Sequence, residues 1–150
     1  MAIETTTKKV YFDTNVLIYL IEKNLTYHDK IASLIASLDQ QGCEVFTSEL
    51  TLAECLVKPF ADDDKQSQAI YTKSIKNSDF LKVRPVARKI LVEAARLRSL
   101  YKNKLPDSIH LATALAAGCD VFVGNDKKIK AGSEIGLLIL DQTFLTEPGY

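Results

Sequence analysis

No stretch of the 150-residue chain reaches the roughly 18 consecutive apolar residues of a membrane-spanning helix, so no span is expected. Cysteine is scarce. Cys43, Cys55 and Cys119 are odd in number and show no CxxC spacing, which argues against a disulfide framework and a zinc ribbon. That usage fits a reducing cytoplasm. The opening MAIETTTKKV has no charged segment leading into an apolar core, so a secretory signal is not expected. Net charge is absent too: 19 basic and 19 acidic side chains cancel. The balance argues against a polybasic nucleic-acid coat and a charge-rich disordered tail. There is no internal repeat, no low-complexity segment and no dividing linker, so the length predicts one domain over 1–150 with a core of its own.

What is present is unevenly placed. Asp39 to Asp64 holds seven acids against Lys58 alone, and Lys82 to Lys104 holds eight bases against Glu93 alone. Such asymmetry fits either two solvated helix faces or a cation site and an anionic partner at different places.

Short apolar runs alternate with helical periodicity. Val10–Phe12, Cys43–Thr47, Phe80–Val83 and Val121–Val123 read as strands, and Ile135–Leu140 is a last apolar run. Between them, Val16–Ile21 is apolar nearly all round, and Ile31, Leu34, Ile35 and Leu38 recur at helical spacing. Ser48 is a candidate N-cap for a helix ending before Pro59, and a polar helix over 61–77 opens on Asp62-Asp63-Asp64. A helix over Val86–Tyr101 is expected to bury Ile90, Leu91, Ala94, Leu97 and Leu100. Pro106 opens a last helix that Gly118 stops. The alternation predicts an α/β fold, a mostly parallel central sheet covered on both faces. Ligands of such sheets sit outside the carboxyl ends of the strands.

Four acids belong to that rim. Asp13 follows the first strand, Asp126 follows the run VFVGN, and Asp107 lies in the first turn after Pro106. Glu54 lies six residues past Ser48, on the helix face of Leu50 and Thr51, and is expected to point inward. Each has an ordinary reading alone: a helix cap, a turn, a dipole partner, a surface acid. Together they make a costly concentration of like charge that a hard cation would relieve. Oxygen donors without His or Cys favour Mg²⁺ or Mn²⁺ over zinc, and such ions promote in-line phosphoryl displacement.

The motifs VYFDTNVLIYL (10–20), TSELTLAE (47–54), LPDSIHLATA (105–114) and VFVGNDKKI (121–129) resemble, in order and spacing, the four motifs of PIN-domain nucleases, especially VapC-type toxins of toxin–antitoxin pairs. The resemblance implies a three-layer α/β/α fold and Mg²⁺- or Mn²⁺-dependent endonucleolytic cleavage of RNA. It also implies a homodimer and inhibition by a small cognate antitoxin. It carries metal-site roles to Asp13, Glu54, Asp107 and Asp126, and supporting roles to Asn15 and Asn125. One departure is Gly124, where the family often has Thr or Ser; a hydroxyl there is expected to orient Asp126 or contact substrate. Lys104, Lys127 and Lys128 flank the third and fourth motifs and are the candidate RNA contacts.

The same residues admit other readings. A phosphatase using Asp13 as nucleophile would want an acid where Asn15 stands. A catalytically silent RNA- or protein-binding module would be expected to have lost an acid, and all four are present. His28 and His110 are expected to be structural, Cys55 a small buried side chain, and Tyr11 and Tyr101 either core or base-stacking residues.

Overall fold

The computed structural model describes residues 3–141; Met1 and Ala2, at the head of the segment read above for a signal, and residues 142–150 lie outside the described residues. Eleven elements follow one another among those described: β1 (Lys9–Phe12), α1 (Thr14–Ile21), α2 (His28–Gln40), β2 (Glu44–Ser48), α3 (Glu49–Ala61), α4 (Lys65–Ser74), β3 (Leu81–Arg84), α5 (Arg88–Tyr101), α6 (Leu105–Ala116), β4 (Val121–Gly124) and β5 (Gly136–Ile139). The strands form one sheet in the order β3-β2-β1-β4-β5, and every pairing is parallel.

Strand periodicity divides the core into two layers. Val10 and Phe12 of β1 face one way and pack with Val16, Leu17, Ile31 and Leu34 of α1 and α2. Tyr11, between them, faces the other way with Phe46 and Phe122, against Ala94 and Leu97 of α5 and Leu111 of α6. Val10, Tyr11 and Phe12 are all inaccessible to solvent, and burial of each such side chain stabilises by about 1.5–3 kcal/mol. The order also places the site. The chain builds outward from β1 through β2 to β3, then returns to the far side of β1 as β4. The crevice between the carboxyl ends of β1 and β4 is therefore the topological switch point.

Four local expectations are corrected. The helix of Ser48 does not end before Pro59; α3 runs to Ala61 with Pro59 inside it. Buried Pro59 forfeits one backbone hydrogen bond, but its carbonyl accepts from Gln68 Nε2 at 3.2 Å and from Asp64 N at 2.8 Å, which docks α4 there. Asp62 and Asp63 lie in the turn before α4 rather than in a helix over 61–77, because Asp64 takes the N-cap and accepts from Ser67 N at 3.0 Å. On α5, Leu91 and Leu100 are half exposed; the stripe that reaches the sheet is narrower, and Ala94 and Leu97 carry it. The α1 helix buries only its first turn, with Ile18 to Ile21 partly open.

Candidate active site

Asp13 ends β1 and caps α1. Its Oδ1 accepts from Thr14 N at 2.8 Å, and its own N–H donates to Val123 O at 3.0 Å, so β4 fixes the corner at the switch point. The residue is only 8% exposed. Burial raises its carboxyl above the ordinary value; His110 opposes the shift, and the charges of Glu54 and Asp126 add to it.

Glu54 projects from α3 toward the same corner. Its Oε1 accepts from Thr14 Oγ1 at 2.6 Å and meets His110 Nε2 at 2.6 Å. Partial burial alone would raise this acid, but the bonds from His110 and Thr14 outweigh it and hold Glu54 below its ordinary value. Beneath lies a layer of buried hydroxyls. Thr47 Oγ1 is 2.7 Å from Thr51 Oγ1 and donates to Phe12 O at 2.9 Å, which locks α3 to the end of β1.

Asp107 opens α6 with Pro106 beside it in the first turn. It is half buried, and its carboxyl is raised first by burial and then by the charges of Asp13 and Asp126. Asp126 stands exposed on the turn after β4, where its Oδ1 accepts from Lys128 N at 2.8 Å. Asp107 and Asp126 line one cleft of about 470 Å³ together with Tyr101, Lys104, Lys127 and Lys128.

Asn15 is exposed on α1. Asn125 Nδ2 donates to Tyr19 Oη at 3.1 Å and its Oδ1 accepts from Asp141 N at 3.2 Å, so it ties α1 to the end of the β5 segment. A Cβ on Gly124 would stand 3.6 Å from Asp13 Oδ2 and 3.3 Å from the Phe122 ring, so a side chain there would address Asp13.

His110 is the residue that sequence reasoning undervalued. It is 1% exposed and fully engaged, as a structural histidine is, yet its partners are the site acids. Nδ1 meets Tyr11 Oη at 2.6 Å, and Nε2 lies 3.2 Å from Thr14 Oγ1 and 3.6 Å from Asp13 Oδ1. Burial alone would lower the imidazole; the Glu54 bond and the charges of Asp13 and Asp107 more than compensate and raise it. The available signal was its place three residues after Asp107, on the same helix face. Thr14 carried no comparable signal.

The donor set suits a hard divalent ion. Among the described residues no three His, Cys, Asp or Glu side chains converge into a closed cage. Burial raises both Asp13 and Asp107; the charges of Glu54 and Asp126 add to the shift at Asp13, and those of Asp13 and Asp126 to the shift at Asp107. Such under-compensated oxygen donors at an open rim are what Mg²⁺ or Mn²⁺ takes, with waters completing the shell.

The PIN domain family model matches residues 10–134, and the chain belongs to that family. Solved structures with this fold include VapBC2 from Rickettsia felis bound to a promoter DNA fragment (TM-score 0.70, 19% identity, covering 87% of this chain and 98% of that one). A toxin–antitoxin complex from Klebsiella pneumoniae gives 0.61 at 22% identity, covering 84% and 94% of the two chains. VapC20 from Mycobacterium tuberculosis, a toxin that cleaves the sarcin–ricin loop, gives 0.62 at 16% identity, covering 83% and 92%. No curated protein matches. Among the described residues no helix is long and apolar enough to cross a membrane.

Proposed function

We propose that the chain is a Mg²⁺- or Mn²⁺-dependent endoribonuclease, the toxin of a VapBC-type pair, forming a single catalytic unit over 1–150. The reading is supported by two pairs of acids near the switch point: Asp13 and Glu54 bridged by His110, and Asp107 and Asp126 lining one cleft, with burial and neighbouring negative charge raising Asp13 and Asp107. Membership of the PIN family and a fold shared with VapC toxins support it. Neighbours solved as toxin–antitoxin complexes also support a cognate antitoxin as partner; a homodimer as the working state and a cytoplasmic setting are proposed with it.

Asp13, Asp107 and Asp126 would hold the ion, with Glu54 contributing from behind through the oxygen that Thr14 and His110 leave open. A bound divalent ion supplies an activated water and a polarised phosphodiester. The chain's own residues do the rest. Asp13, fixed by Thr14 N and by β4, keeps its carboxylate aimed at the rim without reorganisation. Asp107, in the first turn of α6, presents its carboxylate to the cleft beside Asp126. Lys104, Lys127 and Lys128 offset the charge of the polyanion beside the acids. Water attacking in line would form a new P–O bond as the bond to the 3′ oxygen breaks, and the water's proton would leave with that oxygen, giving a 3′ hydroxyl and a 5′ phosphate. Incubation of total RNA with the purified protein in Mg²⁺ or Mn²⁺ should give discrete fragments that EDTA abolishes; intact RNA under all three conditions would refute the reading.

A further inference from the structure

The lysines of the cleft sit on two separate loops, and one buried side chain joins those loops. Lys102 and Lys104 belong to the connection between α5 and α6; Lys127, Lys128 and Lys130 belong to the connection between β4 and β5; all five line the cleft with Asp107 and Asp126. Between Lys102 and Lys104, both exposed, Asn103 is only 7% exposed. Its Nδ2 donates to Lys130 O at 2.6 Å and its Oδ1 accepts from Lys130 N at 3.0 Å. This reciprocal pair copies one rung of a backbone ladder with a side-chain amide. The carbonyl of Asn103 accepts from an Arg98 guanidinium N–H at 2.8 Å, which fixes the residue to α5.

The chain spends conformational strain to put Asn103 there. Lys102 takes a left-handed φ of 65°, a region that side-chain-bearing residues seldom adopt, and the turn it makes leads Asn103 inward. The second loop is held again further on, where Arg96 pairs with Glu134 at 2.7 Å. Gly132 lies so close to Tyr101 that a Cβ would fall 2.8 Å from the ring.

We propose that Asn103 is a positioning residue for RNA. It holds the two lysine-bearing loops at a set separation, so that their ammonium groups engage backbone phosphates on either side of the one presented to Asp107 and Asp126. The inference rests on the ribonuclease reading. Its physical basis is that loops already ordered lose less freedom when a strand binds, and that phosphate contacts set both affinity and its salt dependence.

The test compares Asn103→Ala and Asn103→Gln in an Asp13→Asn chain, which is expected not to cut. A labelled single-stranded RNA of the fragments' sequence is titrated across a range of salt with Mg²⁺ present. Neither substitution changes charge, so a changed salt slope reports lysine placement alone. Expected are about five- to tenfold weaker binding and a slope shallower by the equivalent of one or two phosphate contacts. Should the alanine variant lose the parent's far-UV circular dichroism, the glutamine variant decides, because it keeps an amide that is one methylene too long to make both bonds. Unchanged affinity and slope in the folded variants would overturn the proposal and leave the ribonuclease reading standing. A wild-type chain that leaves this RNA uncut in Mg²⁺ or Mn²⁺, with both variants weakened in binding, would overturn the ribonuclease reading alone. A parent that binds no RNA would overturn both.

Discussion

His110 Nε2 stands 2.6 Å from Glu54 Oε1 and 3.6 Å from Asp13 Oδ1, so a single buried imidazole bridges the acid borne by α3 and the acid at the end of β1. Both acids reach the site from separate stretches of chain, and a protonated His110 offsets the charge of their approach.

The signs of the shifts define when that bridge stabilises the fold. Glu54 is lowered, so its contribution is present above its unfolded value and is lost as pH falls through the folded one. His110 is raised, so its contribution is full below its unfolded value and is lost as pH rises through the folded one. The bridge therefore helps most between a depressed carboxylate value and an elevated imidazole value. His110→Ala should cost about 3 kcal/mol near pH 6, from the cavity and from the Tyr11 hydroxyl left without its ring partner. Urea titrations at several pH values should show the loss shrinking toward both ends of that window. A pH-independent loss would mean that only packing was removed.

Asp107 has the opposite sign for an acid. Its folded value is raised, so the folded state binds the proton more tightly, and stability falls as pH rises through the unfolded value toward the folded one. Asp107→Asn should therefore raise the melting temperature at pH 7 in EDTA, by about 2–4 °C for each kcal/mol of relieved repulsion. Mn²⁺ should raise the melting temperature of the parent, since a ligand bound only by the folded state stabilises it. The same Mn²⁺ should do little for the Asn variant. Scanning calorimetry with and without the ion checks both; a variant that melts lower in EDTA would contradict the repulsion.

Gly124 sits where a Cβ would press on Phe122 at 3.3 Å and stand 3.6 Å from Asp13 Oδ2. Gly124→Ser should cost about 1 kcal/mol of overpacking. Its hydroxyl should act on Asp13 rather than on exposed Asp126. Carboxyl titration by NMR should show the Asp13 resonance moving most; a larger shift at Asp126 would contradict this placement.

Much of this was legible in the residues. Parallel strands were readable because Val10–Phe12 and Val121–Val123 are apolar without alternation, as strands buried on both faces must be, and because helical periodicity separates them. The rim acids were readable because strand ends and Pro106 fix their position in the chain. Asn15 and Asn125 were placed beside the acids by family likeness, yet Asn125 spends its amide on Tyr19 and the Asp141 backbone. Pro59 misled because its cost is offset by packing from α4, which no local rule contains. His110 and Asn103 stayed hidden because their partners lie 56 and 27 residues away in the chain. A buried polar network is written in three dimensions only.

The most direct test of the metal-dependent ribonuclease account is cleavage-site mapping on total RNA, with the wild-type chain beside Asp13→Asn, each in Mn²⁺ and in EDTA. The account predicts defined cuts bearing 5′ phosphates for the wild type in Mn²⁺ only, and none for the variant although it folds. Equal cutting by the variant, or cutting that persists in EDTA, would contradict it.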